Sequence, residues 1–448
     1  MLQSRPVPGA PKPYTFPRPR RVQVGGGTVV AIDVPGQLYA SVRLVQRSGG
    51  AAEPLDRMGV ATLTGEALED GILGDSSLAP ALERHGAEWA CRVSWDSFVT
   101  GVDAPVNRIT DATALFAEAL RTPALRADDV VRRRDQLVER FALENSMAST
   151  LAARSIGGQL FSGRYATPLG GGPARLRALT PESVADFHTS TIASVAGTLV
   201  VVGDLAGVDL EALGRTVFGD AAPAVAQPVA APGTGDGERP RIVVLDRPGS
   251  VQSALVLAHR APSRAEIDLV PAESAGEVLG GMFNSRLNME LRERLGYTYG
   301  VGCRFDLRRD AGVFYISTQV EAPTTAHSIS TTLAEIERLR SDGANEGELT
   351  SVKESNTVGL PVAYSTSRAL ASALVEIVVH DLPEDHVDRL RAGYERLTAE
   401  ELHAAAERYL RPEEAVIIVA GDAGELRGSL EDLDVGPVEV RDPETLWG

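Results

Sequence analysis

The polar and apolar positions change period several times along the chain. In "GVATLTGEALEDG", residues 59–71, apolar side chains fall at Val60, Leu63, Ala67 and Leu68, the spacing of one buried stripe on a helix. Alternating stretches such as "WACRVSWDSFVTGVD", "ALVLAHR" and "GVFYISTQVEA" predict strands. "SRALASALVEIVVH", residues 367–380, carries a heavily apolar stripe and predicts a helix packed in a core. Thr180 and Thr398 read as helix N-caps, each with an acid close behind, Glu182 and Glu400.

These elements occur twice. "IDVPGQLYASVRLVQRSG" at 32–49 matches "LDRPGSVQSALVLAHRAP" at 245–262, pairing Asp33 with Asp246, Pro35 with Pro248, Gly36 with Gly249, Leu44 with Leu257 and Arg47 with Arg260. "LTPESVADF" at 179–187 matches "LTAEELHAA" at 397–405, and both copies close on a strand ending in Gly-Asp, at Gly203-Asp204 and Gly421-Asp422. Even the two cysteines correspond, in "ACRVSW" and "GCRFDL". A repeat this long is a duplicated domain, not a solenoid unit. Between the copies, "AAPAVAQPVAAPGTGDGERP", residues 221–240, has no amphipathic period and reads as a linker. Strands alternating with pairs of helices predict an α+β architecture, each copy a mainly antiparallel sheet covered by helices on one face.

Composition narrows the function. The net charge of −17 repels phosphate backbones and argues against nucleic-acid binding. No apolar run approaches the ~20 residues of a membrane span. The opening "MLQSRPVPGAPKPYTFPRPRR" has no apolar core of a secretory signal. It carries six prolines and no acid, and reads either as a disordered basic tail or as an extended arm docking on an acidic partner. Cys91 and Cys303 are too few to staple 448 residues, so both are read as reduced thiols of a cytoplasmic protein. "GGGP", Gly170 to Pro173, lacks the Gly-Lys-Ser/Thr ending of a phosphate loop and reads as a surface loop. His259 and His327 stand in isolation and read as ordinary imidazoles.

Both copies resemble the pitrilysin/insulinase family of zinc peptidases, most specifically at "GVATLTGEALEDG" and "FNSRLNMELRERLGYTYGVGCRFD". The resemblance implies two homologous α+β domains forming one half-shell of a peptidase chamber. It divides the chain into a basic Pro-rich arm (1–21), an N-terminal peptidase-like domain (22–220), the linker (221–240) and a C-terminal peptidase-like domain (241–448). The family's metal motif, His-x-x-Glu-His, would stand on the helix that begins at Gly59. Here those positions are Thr62, Gly65 and Glu66. Catalytic zinc wants about three protein ligands and an open position, and a lone Glu66 does not replace two imidazoles and a base. "HGAEW", His85 to Glu88, has Trp89 where a second His would stand. Glu139 and Glu144 fall where a third ligand would be and read as helix-face charges.

"LRERLGYTYG", residues 291–300, keeps the family's other pair. The resemblance implies that Arg292, at a helix end, and Tyr299, on the following strand beyond a turn at Gly296, stabilise the oxyanion of the cleaved peptide bond. Tyr297 is the alternative donor and a candidate substrate contact. The expected function is a non-catalytic subunit of a heteromeric zinc endopeptidase, inactive alone and binding no metal or cofactor itself. It would hold extended peptide and act in trans with a similar half-shell chain that carries His-x-x-Glu-His and the zinc. The alternatives are a structural scaffold, as in family members that became core proteins of a respiratory complex, and a peptide-binding module without turnover.

Overall fold

In the computed structural model, residues 14–70, 72–73, 76–223, 233 and 241–447 are described. Residues 1–13 of the basic arm and nearly all of the 221–240 stretch lie outside them. The first half carries β1 (Arg20–Val24), β2 (Gly27–Asp33), β3 (Tyr39–Gln46), the short β4 (Ile72–Leu73) and β5 (Ser76–Ser77), β6 (Glu88–Val93), β7 (Phe98–Pro105) and β8 (Thr198–Gly203). The second half carries β9 (Ile242–Asp246), β10 (Gln252–Ala261), β11 (Val301–Leu307), β12 (Gly312–Glu321), β13 (Val416–Gly421) and β14 (Val438–Arg441). Two six-stranded sheets result, ordered β1-β2-β8-β3-β7-β6 and β11-β12-β10-β13-β9-β14. Among the described residues, β2–β8, β9–β13 and β9–β14 are the only parallel ladders within these sheets. The expected α+β class with two homologous, mainly antiparallel sheets is what the chain forms.

The repeated motifs lock each copy in the same way. Asp33 pairs with Gly203 across β2 and β8, and its carboxylate accepts the Leu205 N–H at 2.8 Å. Asp204 then accepts the Gly36 N–H at 2.9 Å, fixing the Pro-Gly turn. In the second copy Asp246 accepts from Ala423 at 3.0 Å and Asp422 accepts from Gly249 at 2.6 Å. Gly36 and Gly249 sit at φ +85° and +77°, where a side chain is strained. The Asp, Pro-Gly and Gly-Asp of the repeat are therefore one hydrogen-bonded clasp per copy.

The second face of each sheet is covered too, by a helix from the other half. Each sheet's own helices pack one face, the first sheet through Val29, Ala31, Leu199 and Val201. Its other face, Val30, Ile32, Val200 and Val202, receives Leu370, Leu374 and Ile377 of the helix Ser367–Val379 from the second half. Reciprocally, the helix Ala148–Leu160 of the first half lays Leu151, Ile156 and Leu160 on Val243, Leu245, Val256 and Ile418 of the second sheet. The two halves thus exchange equivalent helices. The unbroken runs "TVVAI" and "IVVL" are the sequence trace of strands buried on both sides.

Polar contacts fix the exchanged helix Ser367–Val379 at both ends. Ser367 Oγ donates to the Tyr39 carbonyl at 2.7 Å, and Arg368 pairs with Asp103 at 2.9 Å. Burial alone would raise the Asp103 carboxyl. Hydrogen bonds from Arg43 and Ser41, with the charges of Arg43 and Arg368, outweigh it and hold the group below its ordinary value. At the far end Arg47 donates to the Val378 carbonyl at 2.9 Å and pairs with Asp381.

The basic arm, where described, docks on the second half. Phe16 is buried against Tyr364 at 5.2 Å between ring centroids, and Tyr14 stacks on the same ring. β1 begins at Arg20, inside the stretch assigned to the arm. Both capping boxes form, but their closing residues are Ser183 and Glu401 rather than Glu182 and Glu400, because the third helical position is the one that reaches back to the cap. Among the described residues no single helix is long and apolar enough to cross a membrane.

The helix Val60–Glu69 starts on a buried carboxylate. Glu53 accepts the Gly59 N–H at 3.0 Å and the Ala61 N–H at 2.7 Å. Burial pushes its carboxyl up from 4.5 to about 7, against the lowering pull of those bonds and of Arg164. A carboxyl raised in the folded state favours folding fully below its unfolded value, and that contribution fades as pH climbs to about 7.

Two outcomes follow. Leu374→Ala opens a cavity in the exchanged-helix core and is expected to cost roughly 2–5 kcal/mol of stability in urea unfolding, with a single transition retained for both sheets; a loss below about 1 kcal/mol would show the exchange to be loosely packed. Between pH 4.5 and 7, Glu53→Gln should flatten the stability profile by roughly 3 kcal/mol relative to the parent, whatever its absolute cost. Parallel profiles would contradict the buried-carboxyl account.

Candidate functional site

Thr62, Gly65 and Glu66 lie together on the helix Val60–Glu69 and line one cleft of about 720 Å³. Gly65 packs against Cys91: a Cβ there would stand 2.8 Å from Cys91 Sγ, so the thiol would have to shift. The Cys91 residue is exposed on the sheet edge, while its thiol turns inward and is pushed up to about 12, by burial first and then by Glu66 and Glu69. Glu66 is taken by Arg140 at 2.6 Å, with Arg133 at 3.6 Å. Glu144 is paired with Arg154, and Glu139 is exposed. His85 sits outside this cleft, 3.8 Å from Asp111. Among the described residues no three His, Cys, Asp or Glu side chains are placed to hold a metal ion. The residues at the family's zinc position therefore do not fit zinc: one has no side chain, its space is filled by a thiol, and the remaining acid is bound by arginines.

The cleft itself is formed by both halves. β6, an open sheet edge, contributes Trp89 to Val93 along one side. Asp306 to Arg308 at the end of β11, and Glu376 and His380 around the end of the exchanged helix, form the other side. Asp96 lines it too, accepting the Arg309 N–H at 3.0 Å; burial raises its carboxyl, against the pull of that bond and of His380 and Arg309. Sequence reasoning missed Asp96, Arg308 and His380. They are far apart along the chain, and the packing of one half on the other brings them together.

Arg292 and Tyr299 lie elsewhere. Arg292 belongs to the helical segment Asn288–Arg294 and rests on the exposed Phe283 ring, 3.8 Å from its centroid, with Glu293 at 2.8 Å. Gly296 makes the turn at φ +68°, as the spacing implied. Tyr299 stands in the loop rather than on the strand, because Thr298 turns the backbone through a bond from the Gly300 N–H at 3.1 Å and the β11 ladder begins only at Val301. Tyr299 is 97% exposed. With Tyr297, Ser149, Gln252 and Glu321 it borders a second cleft of about 550 Å³. The Tyr297 hydroxyl is engaged with His327 Nδ1 at 3.1 Å. The structure thus gathers the degenerate metal positions in one cleft and the two tyrosines in another, and Arg292 lines neither.

The remaining histidine of note, His259, is structural. It stacks on Phe314, accepts the Arg411 N–H at 3.1 Å, and burial lowers it to about 4.

Known proteins share this organisation. Residues 178–356 match the family model of the peptidase M16 inactive domain, a span that runs from the end of the first half across the 221–240 stretch and includes Arg292, Tyr297 and Tyr299. The chain is similar to a peptidase M16 inactive domain from Pseudomonas fluorescens, with TM-score 0.82 and 24% identity over 90% of this chain and 98% of that one. It is similar to a protease from Helicobacter pylori, with TM-score 0.80 and 16% identity over 91% and 100%. It is also similar to a chain of Complex III2 from Candida albicans, with TM-score 0.76 and 13% identity over 92% and 99%. No curated protein matches its sequence. Residues 178–356 thus match the peptidase M16 inactive domain, and the whole chain shares the fold of these structures.

Proposed function

We propose that the chain is the non-catalytic half-shell of a two-chain cytoplasmic peptidase. It binds extended peptide and lends Arg292 and Tyr299 to a similar chain that carries the metal motif. The observation that carries this reading is Tyr299. An aromatic side chain left 97% exposed loses the stabilisation of burial, and a loop that presents it beside a cleft is arranged for contact outside the chain. The Arg292 guanidinium, oriented by Glu293 and the Phe283 ring, stands seven residues earlier, near the end of the helical segment that leads through the Gly296 turn to β11. A phenol donor and a fixed cation are the groups that stabilise a developing oxyanion. The open edge of β6 beside the first cleft offers unpaired backbone groups to which an extended peptide adds as a further strand.

The scaffold reading has one observation in its favour, the fold likeness to a chain of Complex III2 from Candida albicans. In a scaffold the Tyr299 hydroxyl would be dispensable.

The two readings separate on one substitution. With the chain reconstituted beside a metal-bearing partner, Tyr299→Phe keeps the ring and is expected to lower peptide turnover about 10²–10³-fold, with little change in peptide affinity and none in zinc content. Turnover within about threefold of the parent, with the complex intact, would make this chain a scaffold.

A further inference from the structure

A smaller cavity of about 270 Å³ branches from the first cleft, sharing Trp95, Leu169, Asp306 and Arg308 with it. Both halves build it: Trp95, Ile156 and Tyr165 from the first, Arg308, Val313 and Tyr315 from the second. Its walls are aromatic. Trp95 and Tyr165 lie 4.7 Å apart between ring centroids, and the Arg308 guanidinium stands 5.1 Å from each ring.

Two hydrogen-bond donors in this wall are buried without a partner. The Tyr165 residue is 1% exposed and its hydroxyl makes no hydrogen bond. Arg308 spends Nε and Nη2 on Asp306, at 3.3 and 2.8 Å, which leaves Nη1 buried and unsatisfied. Burial pushes the phenol up to about 12, so it keeps its proton at neutral pH. Of the nearby carboxylates, Asp306 accepts from Arg308 and Asp96 accepts the Arg309 N–H, while Asp310 adds its charge to theirs; none of the three hydrogen-bonds the Tyr165 hydroxyl or Arg308 Nη1. A buried donor without an acceptor destabilises the fold, so two of them on one cavity call for an acceptor from outside. The Arg154 guanidinium, which also lines the cavity, is not free to take that role, being bound to Asn145 at 2.8 Å and to Glu144.

We propose that this side cavity is a specificity pocket for a peptide carboxylate, held by Arg308 Nη1 and the Tyr165 hydroxyl while the chain of the peptide lies in the adjoining cleft. The carboxylate comes either from an Asp or Glu side chain or from the free C-terminus of the peptide. Trp95 and Tyr315 supply an apolar wall for the methylenes that carry it. The inference rests on the peptide-binding reading above, and adds to it which peptides are preferred.

The test uses the full chain and four fluorescently labelled peptides of one extended Ala/Val/Thr sequence, carrying Glu or Gln at a scanned position and ending in a free carboxylate or an amide. Binding is followed by anisotropy. The Glu peptide, or the free-acid peptide, should bind about 10-fold more tightly than its neutral counterpart, which also tells the two carboxylate sources apart. Tyr165→Phe, which keeps the ring and lines only the side cavity, should remove that preference while leaving the neutral peptide's affinity within about twofold, and Arg308→Gln should weaken the carboxylate peptide more than the neutral one. Thermal melting of each variant checks that the fold is intact; if Arg308→Gln fails to fold, Tyr165→Phe decides alone. Equal affinity for all four peptides would overturn the pocket and leave peptide binding standing. No binding by any of the four would overturn the peptide-binding reading, and the pocket with it.

Discussion

The structure depends on the reciprocal exchange of two helices. Ser367–Val379 closes the first sheet and Ala148–Leu160 closes the second, so neither sheet has a complete core without the other half. The exchange also creates the first cleft. Glu376 and His380 reach the β6 edge only because their helix lies on the opposite half, and Ile156 lines the side cavity for the mirror-image reason. On the proposed reading, in which the chain grips a peptide between its two halves, this arrangement is an advantage. The walls of the cleft are tied to both cores and their spacing is fixed by packing.

Much of the fold is written in the sequence because its signals are local. The Asp, Pro-Gly and Gly-Asp repeats are visible as matched strings, and the clasp they form needs only the ladders β2–β8 and β9–β13 to bring them together. The stripe Val60, Leu63, Ala67 and Leu68 is buried as its spacing requires. What the sequence hides is long-range. Covering both faces of a sheet leaves only continuous apolar runs, which do not say which helix arrives from where. Arg308, Asp96 and His380 share no spacing, so no reading of the string unites them. The loop position of Tyr299 was hidden for a smaller reason, since one threonine hydroxyl delays the strand by two residues.

The helix that would carry a metal motif keeps its structural role without one. Glu53 holds its start, Gly65 lets Cys91 pack against it, and Arg133 and Arg140 neutralise Glu66. Each of these is a packing or pairing solution to a space that ligands would otherwise occupy. What the chain offers the proposed recognition of peptide is an open strand edge, buried donors and an exposed phenol.

The central claim is that an extended peptide adds to the β6 edge within the cleft built by both halves. Hydrogen–deuterium exchange with and without an extended peptide tests it most directly. The account predicts slowed exchange in Glu88–Val93, with the turn after β11 also protected and the remote clasp at Asp422 unchanged. Unchanged exchange along Glu88–Val93, under conditions where the peptide is bound, would contradict it.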